Sequence, residues 1–82
     1  MSVIFNIHRL KTLPEHFEPV LLGLKRAELR RADRPFRVGD YLILEEWDAV
    51  VGVYTGRKVA KPVVHIADVS AYLPGYVLLS IV

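Results

Sequence analysis

The sequence predicts a small α+β domain that is mostly β: an antiparallel or mixed β-barrel with one short helix after the first strand. Three observations carry this. The chain has 82 residues, which bounds a single domain over 1–82. Several segments rich in β-branched and aromatic residues are separated by Gly- and Pro-containing turns. Only one segment has helical periodicity, so the apolar strand faces must meet one another. Rolling the strands around the helix removes most free edges. A flat sheet with the helix on one face is the alternative.

Taken in order, VIFNI (3–7) is apolar on both faces and predicts a buried first strand ending at His8. TLPE (12–15) has the spacing of a capping box. Leu13, Phe17, Val20 and Leu21 then follow on one helical face, and Gly23 supplies the stop. Pro19 limits this helix to about two turns, bent near the proline. After Gly23 the period becomes two. Ala27 and Leu29 are expected inward, with Arg26, Glu28 and Arg30 on a charged outer face. RADRP (31–35) is a loop, and FRVGD (36–40) is a short extended piece with a Gly-Asp turn. YLILEEW (41–47) is a strand, DAVVGVYTG (48–56) a hairpin connection, and 57–69 the returning strand. Pro62 within it predicts an edge or a bulge. Residues 70–75 turn, and YVLLSIV (76–82) closes the sheet.

Composition narrows the function. The apolar fraction is 52% and the charged fraction 24%, a globular balance rather than a disordered one. The absence of cysteine excludes disulfides, a thiol nucleophile and cysteine-ligated zinc. No apolar run reaches the roughly 18 residues that span a bilayer, and no leader is expected. The expected setting is therefore cytoplasmic, with no membrane partner. Net charge is +2 but uneven. Residues 1–40 carry eight basic and five acidic side chains, and residues 41–82 carry three and four. The basic excess concentrates in GLKRAELRRADRPFR (23–37), and a local patch of this kind attracts anions.

Within that stretch, Lys25, Glu28 and Arg30 form the first candidate group. A carboxylate beside a guanidinium stays ionised and placed. It can accept from a base edge or an amine while the cations hold a phosphate or carbonyl oxygen. The competing reading is a solvated strand face of ion pairs worth about 0–1 kcal/mol each. Arg31, Arg34 and Arg37, with Lys25 and Arg26, form a second group that could follow a nucleic-acid backbone or simply be solvated. Phe36 and Tyr41 are the nearby aromatics; Phe36 is expected in the core. His8 and Lys11 could reach a pocket rim. The histidines, His8, His16 and His65, lack zinc spacing, and no metal or other cofactor is expected. No nucleophile elbow, P-loop or dinucleotide fingerprint is present. Glu45 and Glu46 are adjacent and so face opposite sides of their strand.

GLKRAELR fits the G-x-K-x-x-E-x-R signature of ASCH domains, a branch of the PUA-like superfold. HRLKTLPEHFEPVLLGLKRAELRRADRPFRVGDYLILEEWD, then YTGRKV and LPGYVLLSI, resembles a small ASCH-type family of bacteria and phages along nearly the whole chain. The resemblance implies a PUA-like barrel whose first strand, helix and signature strand line a cleft for RNA or a nucleotide-like ligand. Gly23, Lys25, Glu28 and Arg30 would be its signature residues, and His8 and Lys11 match its H-x-L-K start. One ASCH branch deacylates N4-acetylcytidine with a lysine matching Lys25 and a threonine three residues on. Here that position is Glu28, which removes the hydroxyl, so Lys25 and Glu28 are only weak catalytic candidates. Three readings follow: an RNA- or nucleotide-binding module, a hydrolase acting on a modified nucleoside, and an accessory protein acting through protein contacts. For the last, Val50 and Val51 at the hairpin tip are candidates for self-association, unless they tuck against Trp47 or Tyr54.

Overall fold

The computed structural model describes residues 4–82. It contains β1 (Ile7–Thr12), α1 (Pro14–Leu21), β2 (Ala27–Arg31), β3 (Tyr41–Asp48), β4 (Val53–Asp68) and β5 (Tyr76–Ile81). Among the described residues the protein is mostly β with one helix, as its sequence predicts. One mixed five-stranded sheet runs in the order β1-β3-β4-β5-β2, with β1 parallel to β3 and the other pairs antiparallel.

Part of the predicted first strand, Val3, lies outside the described residues. Of the rest of VIFNI only Ile7 pairs, as the first residue of β1; Ile4, Phe5 and Asn6 precede the strand, and Ile4 and Phe5 are exposed. The strand is formed instead by IHRLKT, in which alternate residues His8, Leu10 and Thr12 are buried. Mixed polarity hid this alternation, because two of its three inward residues are polar.

The capping box does not form. Leu13 is the N-cap without a side-chain hydrogen bond, and Pro14 occupies the first turn, where its missing N–H costs little. Thr12 donates instead to the Leu10 carbonyl at 3.1 Å. Phe17 and Val20 are the buried anchors of α1, while Leu13 and Leu21 remain about two fifths exposed. Gly23, at φ +75°, ends the helix as predicted. The Pro19 carbonyl accepts the amides of both Leu24 (2.9 Å) and Lys25 (3.0 Å), which fixes the direction in which the chain leaves toward β2.

β4 is a central strand, not an edge. Its first part pairs with β3 and its last part with β5, and the handover comes at Pro62–Val63. The register shifts between Val63 and His65, next to the proline, so the bulge half of the Pro62 expectation describes the strand. A second shift lies opposite Glu45–Trp47, where Gly56 takes φ +91°. The connection between β3 and β4 is also tighter than predicted. Asp48 Oδ1 accepts the amides of Val50 and Val51, and the strand resumes at Val53.

The core is Leu10, Phe17, Val20, Leu42, Leu44, Val63, Leu79 and Ile81, with Phe36 packed against it as expected. Burying each such side chain stabilises by roughly 1.5–3 kcal/mol. Among the described residues β1 and β2 exchange no backbone ladder, so the sheet has two edges. Side chains bridge them. Arg30 of β2 donates to the Lys11 carbonyl (3.2 Å) and to Thr12 Oγ1 (3.1 Å) of β1, and Arg34 reaches the Arg9 carbonyl at 3.5 Å.

Candidate functional site

The sequence assigned the wrong face of β2 to the core. Leu29 is 49% exposed, whereas Glu28 is only 2% exposed. A period of two fixes which residues share a face but not which face turns inward. The inverted orientation carries Glu28 and Arg30 inward, toward the gap between the two sheet edges.

Arg30 locks Glu28 there. Its Nε donates to Glu28 Oε2 at 3.1 Å and its second terminal nitrogen lies 3.1 Å from the same oxygen. With the bonds to Lys11 and Thr12, nearly all its donors are spent within the protein. Arg30 is therefore a clamp that sets the carboxylate, more than a free phosphate grip. The other oxygen differs. Glu28 Oε1 is buried and accepts no hydrogen bond. Lys25 Nζ is 3.2 Å from it, within ion-pair range but not aligned as a hydrogen bond.

A cavity of about 350 Å³ opens at this point. Lys25, Glu28, Leu29 and Arg30 supply one wall, Lys11 and Thr12 the β1 wall, and Leu13 and His16 the helix side. Lys11 Nζ also sits 4.0 Å above the Trp47 ring, which in turn packs edge-on against Tyr54. The cavity thus joins a buried acceptor, several cations and two leucines. That mix can receive a ligand with one hydrogen-bond donor and an anionic or carbonyl group.

The remaining predicted residues are distributed elsewhere. His8 is not at the rim. It is buried, with Nε2 2.8 Å from Asp40 Oδ2 and its ring 4.7 Å from Phe36. Asp40 also accepts the amides of Asn6 and Arg37, both at 2.9 Å. Burial alone would raise the Asp40 pKa, but the Asn6 amide, His8 and the Arg37 amide together hold it below the ordinary value. The carboxylate is thus an acceptor, and His8 Nε2–H donates. Arg31 lies over Tyr76, and Arg34 pairs with Asp33 and crosses to β1. Arg37 contributes its backbone amide to Asp40. None of these arginines lines the cavity.

Sequence reasoning missed Thr12 and His16 as cavity residues. Thr12 was absorbed by the capping pattern, and His16 was weighed only as a metal ligand. It also missed a second buried carboxylate. Glu46 faces inward and Glu45 outward, as their adjacency requires. The bulge at Gly56 turns both Thr55 and Arg57 onto Glu46. The hydroxyl donates at 2.7 Å, and two guanidinium nitrogens donate at 3.0 Å. Arg57 also bonds Glu18 of α1 and lies over Phe17. These bonds, from Arg57 first and Thr55 second, hold the Glu46 carboxyl below its ordinary pKa against the opposing effect of burial.

Residues 7–81 match the family described as a domain of unknown function, DUF3850. The chain belongs to the DUF3850 family. A relative of similar sequence is the "Uncharacterized 12.9 kDa protein in GpA 3'region" of Escherichia phage P2, 49% identical over 74 residues. That match covers 90% of this chain and 66% of the phage protein, so the chain spans just under two thirds of its relative's length. The matched DUF3850 region includes every strand, the helix and the whole Glu28 cavity. No helix among the described residues is long and apolar enough to cross a membrane.

Proposed function

We propose that this domain binds a nucleotide-like ligand, free or as part of an RNA strand, in the cavity between the edges of β1 and β2. The observation that carries this reading is Glu28 Oε1, buried without a hydrogen bond in the wall of a cavity that Lys11, Lys25 and His16 also line. A buried acceptor without a hydrogen bond is costly even beside an ammonium group, and a ligand N–H reduces that cost on binding. The cations meet the ligand's phosphate or carbonyl oxygens. The ASCH resemblance supports the same placement, including a PUA-like barrel in which the arginine bridges stand where a closing ladder would run.

The test is titration with mixed single- and double-stranded RNA and with nucleoside monophosphates at low salt. Binding should weaken steeply as salt rises. It should fall in Lys25→Ala with the fold intact. Absence of binding to every member of the panel would refute the reading.

The 3.2 Å approach of Lys25 Nζ to Glu28 Oε1 favours one second reading, a hydrolase acting on a modified nucleoside. Incubation with N4-acylated cytidines separates turnover from binding. No product above a Lys25→Ala control removes this reading for those substrates.

A further inference from the structure

A second cavity, of about 230 Å³, lies behind Lys25. Its cations are Lys25, Arg26 and Lys61, and Val20, Ile81 and Val82 supply apolar walls. Lys25 lines both cavities, so the two are neighbours that share one ammonium group.

Lys61 is the informative residue. It pairs with Leu42 across the β3–β4 ladder, and antiparallel partners point to the same face. Leu42 is fully buried, so Lys61 is a half-buried cation on the core-facing side of β4. Arg57, four residues earlier on the same strand, also turns inward. Arg57 is matched by two carboxylates, Glu46 and Glu18. Lys61 has no carboxylate within ion-pair distance among the described residues, and neither has Arg26. Inward-facing charges in folded proteins are ordinarily paired. Here the half-buried, unpaired Lys61 meets the exposed Arg26 and the shared Lys25 around an open cavity, an arrangement suited to an anion.

We propose that the cavity formed by Lys25, Arg26 and Lys61 is a phosphate subsite. That the phosphate belongs to the same ligand whose donor meets Glu28 rests on the function proposed above; the subsite itself does not. In this arrangement Lys25 sits between the two halves of the ligand. The Glu28 cavity takes the donor-bearing end, and the second cavity takes a phosphate monoester or an internal phosphodiester.

The test is amide chemical-shift mapping of the intact domain titrated with inorganic phosphate, and in parallel with a dinucleotide whose only phosphate is an internal diester. Phosphate is expected to shift the amides at Gly23–Arg26, Lys61 and Val82 with millimolar affinity. The shifts should weaken at least tenfold in the Arg26→Gln/Lys61→Met double variant and persist in Val51→Asp, at a residue that lines neither cavity. Saturation by phosphate alone identifies a monoester site, and saturation by the dinucleotide identifies a strand site. Shifts confined to Lys11 and His16, no shifts with either probe, or shifts that survive the double variant would overturn the proposal. The wild-type map does not depend on any variant folding. Phosphate shifts at the second cavity without RNA or nucleotide binding would retain the subsite and remove the broader reading. Nucleotide binding that leaves these amides unmoved would do the reverse.

Discussion

Asp40 and Glu28 are buried to nearly the same degree, at 1% and 2% exposure, yet they are built for different work. Asp40 is saturated: the amides of Asn6 and Arg37 and the ring of His8 all donate to it. It ties the segment before β1 to the turn before β3, and it lines neither of the two cavities described above. Glu28 has one oxygen clamped by Arg30 and one left without a hydrogen bond at a cavity wall. A carboxylate whose partners are all supplied by the fold stabilises that fold. A buried carboxylate oxygen without a hydrogen bond leaves stability unrealised, which under the proposed function a ligand donor would supply.

The largest effect should come from breaking the saturated site. Asp40→Ala strands two backbone amides and a buried imidazole, and should cost about 3 kcal/mol. That is a large part of the roughly 4–12 kcal/mol expected for a domain of this size. Calorimetry should show a Tm lowered by more than about 10 °C. A Tm within a few degrees of wild type would erase the distinction between the two carboxylates. Acid should act in the same direction. Asp40, Glu46 and Asp68 all titrate below their ordinary values in the fold. Their stabilisation is complete above the unfolded-state pKa and is lost as pH falls through the folded one. Stability should therefore decline from about pH 4 downward, and in Asp40→Asn that decline should be shallower.

Arg57→Ala should lower Tm less than Asp40→Ala. It strands Glu46, but Thr55 still donates to that carboxylate and Glu18 is half in water. A larger drop than in Asp40→Ala would make the Arg57 network, rather than Asp40, the main polar tie of the fold.

Glu28→Gln should reverse the pattern. The amide keeps the shape, and Lys25 and Arg30 remain partly in solvent, so Tm should change less than in Asp40→Ala. Nucleotide or RNA binding should fall by about tenfold or more, the value of a hydrogen bond to a charged group at about 1.5 kcal/mol. Unchanged binding with a large Tm loss would make Glu28 a second structural carboxylate.

The smallest effect concerns the hairpin tip. Val50 is 96% and Val51 69% exposed, so neither tucks against Trp47 or Tyr54. Val51→Asp should leave Tm unchanged. If the tip mediates self-association, sedimentation should show a dimer in wild type and a monomer in the variant.

The sequence by itself determined much of the local structure. Gly23 had to end the helix because the chain there takes a positive φ that other residues avoid. Phe17 and Val20 were legible as core from the apolar face of the helix, although Leu13 and Leu21 on the same face stay exposed. The segments YLILEEW and YVLLSIV had to be strands, and the G-x-K-x-x-E-x-R spacing put Lys25, Glu28 and Arg30 together in one short stretch. What the spacing could not give was orientation. Alternation says that Glu28 and Arg30 share a face; only packing against β5 and the approach of β1 turned that face inward. Partners distant in sequence were equally hidden. His8 meets Asp40 across 32 residues, and Glu46 meets Arg57 only because a bulge at Gly56 realigns β4. Local preference is set by neighbours along the chain. The satisfaction of a buried charge is set by whatever the fold brings against it.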